Sequence, residues 1–297
     1  MSARFDCSDP AQLAEGLQEA QAALRRGQLV VMPTDTVYGV AAEAFDPVAV
    51  DRLLAAKGRG RDMPPPVLVG TVRAAIALIQ ELGEMGKDLV DEFWPGGLTL
   101  VFRSSPTLVW DIGETKGTVA VRMPLHAVAL GLLKKTGPLA VSSANYSGQP
   151  PATTADEAVE QLGDSVAVYL DGGPCLDDVP STIVDLTGSV PKLLRAGVIP
   201  PDRLREVVPL VDGDAYAPDP GERPDPVIPD EPDISDSGTD ATAIEPDTPD
   251  SAADSSESET GKVAGVPGEA GEPDGAAAGE LTAGQNGALP EPPGQVL

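Results

Sequence analysis

Apolar residues in the first part of the chain follow two periods. Leu13, Leu17, Ala20 and Leu24 recur at steps of four, three and four, the spacing of one helical face. Pro10 follows Ser8 and Asp9, and Gly27 stands after two arginines, so a helix is predicted from 10 to about 26. The unbroken apolar run L-V-V-M at 29–32 predicts a short buried strand that delivers residues 33–39 at its C-terminal end. Asp46 and Pro47 open a second helix, with Val50, Leu53 and Leu54 inward, that ends at Lys57 before Gly58. Lys57 is therefore expected to emerge where the chain becomes flexible.

Further apolar runs predict strands at 67–69, 98–102, 119–122, 139–142, 166–170 and 182–186. Helical spacing is present near 71–82, 86–93, 127–135 and 154–162, the last opening with Thr154 and Glu157 at capping-box distance. Strands and helices interleave throughout, which places the fold in the α/β class.

Charge and composition divide the chain. Residues 1–211 carry 26 acidic and 18 basic side chains, whereas 212–297 carry 21 and 2, so most of the net charge of −27 lies in the second part. That part also holds 13 of the 31 prolines and a single aromatic residue, Tyr216. Such a segment cannot bury enough apolar surface to offset about 1–2 kcal/mol of backbone entropy per ordered residue. The expectation is one domain over 1–211 and a disordered, acidic tail over 212–297 that acts as a soluble spacer or an electrostatic screen.

About 210 residues suffice for a substantial core. The absence of an apolar stretch near 20 residues and of a signal-peptide pattern at 1–26 predicts a cytoplasmic protein with no membrane contact. Cys7 and Cys175 lack metal-type spacing, so reduced thiols are expected and no metal site is predicted. His126 is the sole histidine and precedes an apolar helical run; a helix-start position without catalytic duty is its expected role, which removes most histidine-based mechanisms.

The chemistry is concentrated in three polar strings: P-T-D-T-V-Y-G at 33–39, K-G-R-G-R at 57–61 and S-S-A-N-Y-S-G at 142–148. Neither a Walker loop nor a dinucleotide-binding glycine fingerprint is present. Lys57, Arg59 and Arg61 place three cations on a glycine-interleaved segment; a solvated basic loop and an anion-binding loop both fit this string taken alone. Arg122 within V-A-V-R-M and Arg195 within L-L-R-A-G tilt the balance, because a cation in an apolar run requires a partner. Thr34, Thr36 and Tyr38 would share a face if 33–39 continued as a strand. Ser143 and Asn145 lie two apart, and Thr153 or Thr154 stands at a helix start whose N–H groups suit phosphate.

These strings, together with W-P-G-G-L-T-L at 94–100, V-A-V-R-M-P at 119–124, S-T-I-V-D-L at 181–186 and L-L-R-A-G at 193–197, resemble the YrdC/Sua5/TsaC family of L-threonylcarbamoyladenylate synthases over about residues 10–208. The resemblance implies a twisted mixed sheet with flanking helices and a concave basic cavity. It also implies a nucleotidyltransferase that makes threonylcarbamoyl-AMP and pyrophosphate from L-threonine, bicarbonate and ATP. The product would serve the N6-threonylcarbamoyladenosine modification of tRNA position 37 through a separate transferase.

By the family pattern, Thr36, Arg122, Ser143 and Ser181 would hold threonine, with Arg122 facing its carboxylate. Arg59, Thr118, Asn145, Thr153 and Arg195 would hold ATP, and Lys57 with Arg59 would act catalytically beside bicarbonate or the phosphates. Mg²⁺ would arrive with the nucleotide. The reacting groups are anionic once the amine has attacked, so the need is charge neutralisation and positioning rather than a strong base.

Two departures stand out. Where many relatives read K-G-R-P and then N-P-L-I-V-H, this chain reads K-G-R-G-R-D-M-P-P-P-V-L-V-G, about two residues longer and with Gly70 where a threonine-side histidine is common. The second α/β domain of the longer Sua5 form has no counterpart in 212–297. The rival readings are an RNA-binding module, with weak RNA contact by the cavity surface, and a related carbamoyl-adenylate chemistry of the kind found in hydrogenase-maturation proteins. The acidic balance and few aromatics weigh against the former, and the lack of accompanying domains weighs against the latter.

Overall fold

Helix capping sets the first elements of the computed structural model, which describes residues 2–176 and 178–213. The Asp9 carboxylate accepts from the N–H groups of Ala11 and Gln12 and starts α1 (Pro10–Arg25). Asp46 does the same for Val48 and Ala49 at the head of α2 (Pro47–Lys57), and Gly58, at φ 68°, closes that helix in the left-handed region. Both boundaries agree with the sequence reading. The tail expectation, including Tyr216, falls on residues that beyond Gly213 lie outside the described ones.

Between and after these helices come β1 (Ala3–Asp6), β2 (Leu29–Met32), β3 (Gly39–Glu43), β4 (Val67–Leu68), α3 (Val72–Leu78), α4 (Gly83–Phe93), β5 (Leu98–Arg103) and β6 (Thr118–Arg122). The order continues with α5 (Ala127–Thr136), β7 (Leu139–Ser143), α6 (Ala155–Leu162), β8 (Val166–Asp171), β9 (Thr182–Asp185), β10 (Lys192–Arg195), α7 (Pro201–Arg205) and β11 (Val211–Asp212). The strands form one mixed sheet in the order β1-β8-β2-β3-β7-β4-β6-β5-β9-β10-β11.

Four strands were not marked by the apolar pattern. β3 is alanine-rich and of low intrinsic strand preference, yet it pairs antiparallel with both β2 and β7. β1, β10 and β11 are short pieces at or near the sheet edges, defined by their neighbours rather than by their own periodicity.

The two faces of the sheet are covered unequally. On one face α1 and α5 pack on β2, β3, β7 and β8, where Ala20, Leu24, Leu132 and Leu133 meet Val30, Ala41, Val141 and Val168. The other face carries the larger core, with Leu53, Leu54, Ala75, Leu89, Ala158 and Leu204 against residues such as Val40, Val121, Leu100 and Val184. Register then determines what the first face presents beyond α5. Leu68 pairs with Arg122, Thr99 with Ile183, Val101 with both Ala120 and Asp185, and Arg195 with Ile183. Side chains alternate along a strand, so these residues share one face. That stretch of sheet forms the floor of the functional cavity. Among the described residues, no helix is long and apolar enough to cross a membrane.

Candidate active site

The cavity holds about 90 Å³ and is lined by Thr34, Thr36, Arg59, Thr99, Arg122, Ser142, Ser143, Ser181 and Arg195, with apolar walls from Met63, Pro66, Leu68, Val141 and Ile183. A second cavity of about 240 Å³ lies farther along the same strands, between Pro64, Pro65, Ile112, Thr115, Thr118, Ala120, Asp185 and Leu194. Thr99 and Val101, Ala120 and Arg122, and Ile183 and Asp185 are i, i+2 pairs split between the two spaces. The cavities therefore sit side by side on one sheet face.

Arg122, at the end of β6, is buried and held by three partners. Its Nε donates to the Gly96 carbonyl at 2.9 Å, Nη1 to Thr36 Oγ1 at 2.9 Å, and Nη2 to Asp35 Oδ1 at 2.7 Å. Two of its five N–H groups remain for a ligand. Burial pulls its pKa down, and the Asp35 carboxylate counters this most. Asp35 Oδ1 also accepts from Leu125 N at 2.9 Å, which fixes the carboxylate from a second side. Asp35 is absent from the cavity lining and was not singled out in the sequence. A signal existed: an arginine inside an apolar strand demands an acid, and P-T-D-T supplies one next to Thr36.

Segment 33–38 does not continue as a strand. It turns on itself: Thr34 Oγ1 donates to the Val37 carbonyl at 2.6 Å and lies 3.1 Å from Thr36 Oγ1. Tyr38 OH donates to the Gly173 carbonyl at 2.6 Å. The expected row of three hydroxyls is thus replaced by a tight turn in which the tyrosine hydroxyl is engaged elsewhere.

Lys57 also departs from expectation. It is fully buried and its Nζ donates to the Ser143 carbonyl at 2.6 Å, the Asn145 carbonyl at 2.9 Å and Asn145 Oδ1 at 3.0 Å, with Ser143 Oγ at 3.3 Å. Rather than emerging onto a flexible loop, it ties the end of α2 to the 142–148 string from behind the cavity. The same two segments meet again where Ser147 N donates to the Lys57 carbonyl at 2.9 Å and where Arg59 donates from Nε to Ser147 Oγ at 3.1 Å and from Nη1 to Ser142 Oγ at 3.2 Å. Asn145 is likewise interior, its Nδ2 donating to the Gln149 carbonyl at 2.7 Å.

On the far wall, Arg195 donates from Nε and Nη2 to the Ser181 carbonyl at 3.0 and 2.8 Å and from Nη2 to Ser181 Oγ at 3.1 Å. Ser181 Oγ is 2.8 Å from Thr99 Oγ1. Gly197 explains why L-L-R-A-G ends as it does: a Cβ there would stand 2.3 Å from the Pro180 carbonyl oxygen and 2.5 Å from Ser181 C. Only glycine lets these backbones come so close.

Thr36, Arg59, Arg122, Ser143, Ser181 and Arg195 therefore surround one space, and Thr118 lies in its neighbour. Thr153 lines neither cavity: its N–H and Oγ1 both donate to Glu157 Oε2, at 2.7 and 3.0 Å. Thr153 is thus turned toward the helix's own carboxylate, while Thr154 caps Glu157 N at 3.2 Å. Gly70 does not line the cavity. A Cβ there would meet Lys134 N at 3.0 Å and Leu133 C at 3.1 Å in α5, so a side chain at this position presses on a helix rather than on the floor. Cys7 and Cys175 are both thiols. Burial pushes Cys7 up to about 11 and raises Cys175 as well, which leaves both protonated near neutrality. His126 occupies the N-cap position of α5 without capping it, and burial lowers its pKa.

The model of the Sua5/YciO/YrdC family, described as telomere recombination, matches residues 22–197. A Mycobacterium tuberculosis protein provisionally assigned as a threonylcarbamoyl-AMP synthase is 53% identical over 208 residues, covering 70% of this chain and 96% of that one. The Bacillus subtilis threonylcarbamoyl-AMP synthase is 36% identical over 210 residues, covering 70% of this chain and 61% of its own. Pyrococcus abyssi Sua5 crystallised with L-threonine superposes with a TM-score of 0.65 at 33% identity, covering 73% of this chain and 68% of that one. With a matching sequence model, a shared sheet and arginines on one cavity floor, the chain belongs to the Sua5/YciO/YrdC family.

Proposed function

We propose that this chain is an enzyme of the nucleotidyltransferase class that makes threonylcarbamoyl-AMP from L-threonine, bicarbonate and ATP. The observation that carries the reading is the convergence of Arg59, Arg122 and Arg195 with the hydroxyls of Thr36, Ser143 and Ser181 on one cavity, in a chain 53% identical to a relative assigned that activity. Bicarbonate, carbamate, phosphate and the threonine carboxylate are all anions, and a cavity lined by arginines and hydroxyl groups suits them.

In this reading the threonine ammonium loses a proton and its nitrogen attacks the bicarbonate carbon. The nitrogen's second proton joins the departing bicarbonate hydroxyl, and the two leave as one water. A carbamate oxygen then attacks the α-phosphorus of ATP, and the α–β bridging oxygen departs with pyrophosphate. Arg122, preset by Asp35 and Thr36, keeps two N–H groups for the amino-acid carboxylate. Ser181 and Ser143 offer hydroxyls to the threonine side. Arg59 and Arg195 face the phosphates and stabilise the charge that builds on pyrophosphate. Lys57 acts through the 142–148 segment and contributes a buried positive charge behind Ser143. The smaller cavity offers no carboxylate to a metal and the second offers only Asp185, so Mg²⁺ would enter as part of the nucleotide substrate and would help neutralise its phosphate charge.

The adenylate is then consumed by a separate threonylcarbamoyl transferase acting on tRNA. Residues 1–211 have eight more acidic than basic side chains, which confines any RNA contact of this chain to weak association.

The test is pyrophosphate release by the full chain with ATP, Mg²⁺ and bicarbonate, in the presence of L-threonine or L-serine, with the adenylate identified by mass. Threonine-dependent release is expected. A rate independent of the amino acid, or no release, would sink the assignment.

A further inference from the structure

Arg61 lines neither cavity, yet it joins three pieces of the molecule. It lies in the stretch where this chain is longer than the K-G-R-P pattern. Its Nη1 pairs with Asp51 on α2 and its Nη2 with Asp111 on the 104–117 connection between β5 and β6. The carbonyl of Arg61 accepts from Glu114 N at 2.7 Å, and Asp111 Oδ1 accepts from Gly113 N at 3.2 Å. A Cβ on Gly113, which has φ +109°, would stand 2.8 Å from the Arg61 carbonyl oxygen and 3.3 Å from Pro64 Cβ. The two connections are therefore in direct backbone contact. The same 104–117 connection is tied to the start of α2 by the Phe45 and Trp110 rings, 5.7 Å apart, and is anchored in the core by Ile112.

The segments joined in this way carry the nucleotide end of the proposed site. Arg59 stands two residues before Arg61, and Pro64 and Pro65 follow it. Ile112, Thr115 and Thr118 face those prolines across the second cavity, with Thr118 Oγ1 donating to the Thr115 carbonyl at 2.8 Å. We propose that Arg61 is a positioning residue for nucleotide binding: by bridging Asp51 and Asp111 it sets both Arg59 and the Thr115–Thr118 wall. Most of the threonine end is held by other groups, through Asp35, Thr36 and Thr99, and Ser143 is held by Lys57 rather than by Arg61. Arg61 therefore acts on one substrate and leaves the other alone. The bridging carboxylates are more than half exposed, so each pair is weak and screened by salt. The guanidinium fork can serve both acids at once, which the single ammonium of lysine does less well.

The inference rests on the reading of the cavity as an ATP and threonine site, and titration calorimetry on the full chain separates the two. A non-hydrolysable ATP analogue and L-threonine are titrated into wild type, Arg61→Ala, Arg61→Lys, Asp111→Asn and the Arg61→Ala/Asp111→Asn double variant. Arg61→Ala is expected to weaken the analogue about three- to thirtyfold, the range open to two exposed ion pairs, while threonine binding stays within about twofold. Arg61→Lys should fall between, and the double variant should be no worse than Arg61→Ala, because both changes break one linkage. Unchanged analogue binding in Arg61→Ala, or an equal loss of threonine, overturns the positioning role. Amide exchange of the unliganded chain gives a ligand-independent reading: protection should fall in 58–66 and 104–117 together in Arg61→Ala, and a change in neither or in only one overturns the proposal. Failure of wild type to bind the analogue would defeat the nucleotide reading itself, and the role proposed for Arg61 with it.

Discussion

Arg122 and Arg59 face the same cavity from elements of different kinds. Arg122 sits in a strand at the centre of the sheet, 7% exposed, with a carboxylate only 15% exposed behind it. Arg59 sits on a connection past a helix end, steadied by two serine hydroxyls and by the ion pairs of its neighbour Arg61. A buried ion pair is costly to break but hardly adjusts, because removal of one member strands the other in low dielectric. Hydroxyl contacts and exposed ion pairs are individually weak and can re-form around a moving ligand.

The contrast can be broken most severely at Asp35. Asp35→Ala leaves the Arg122 charge and Leu125 N without their acceptor, and should lower unfolding free energy by about 3–5 kcal/mol in urea denaturation. The Asp35→Leu/Arg122→Met pair should recover most of that stability while threonine binding remains lost. A double variant as unstable as Asp35→Ala would show that the pair does not carry the effect.

Arg59→Ala should behave in the opposite manner. Adenylate formation is expected to fall about 100-fold or more, as for loss of one transition-state donor, while the urea midpoint barely moves. A large drop in stability would mean that Arg59 is as structural as Arg122. Lys57→Met sharpens the boundary between the two classes, since it uncouples the buried root of the Arg59 segment from Ser143 and Asn145. A stability loss of about 1.5–3 kcal/mol is expected from charge-assisted bonds, together with weaker binding of both substrates. Reduced turnover with unchanged stability would return Lys57 to direct contact with the reacting groups.

Gly70→Ala tests whether that position belongs to the site at all. Contact with α5 at 3.0–3.2 Å predicts a cost of about 1–3 kcal/mol from overpacking, without a gain in threonine affinity. The smallest effect is expected for Ser147→Ala, which removes one hydroxyl partner of Arg59. The KM for ATP should rise about threefold, an energy near that of one net hydrogen bond, with kcat nearly unchanged.

Much of this was legible before folding. Leu13 to Leu24 marked α1, Asp46-Pro47 and Gly58 marked both ends of α2, and Thr154 marked α6, because capping and helical periodicity are local. Arg122 and Arg195 were legible as partnered cations because a cation in an apolar run has few alternatives, and both line the cavity. β3 was not legible, since its alanines carry no strand preference and β2 and β7 impose it from outside. The partner of Thr153 was not legible, because its bond to the Glu157 carboxylate shows only once side chains are placed.

The sequence by itself determined the α/β class, the charge division at about 212 and the ends of the helices that carry clear caps, α1 and α2. Those properties depend on neighbours within a few residues or on composition. Only the tertiary structure decided that Asp35 backs Arg122, that Lys57 turns inward to carbonyls 86 and 88 positions away, and that Arg61 bridges partners 10 and 50 positions away. Each of these depends on which distant segments the sheet register brings within about 3 Å, and no local pattern encodes that distance.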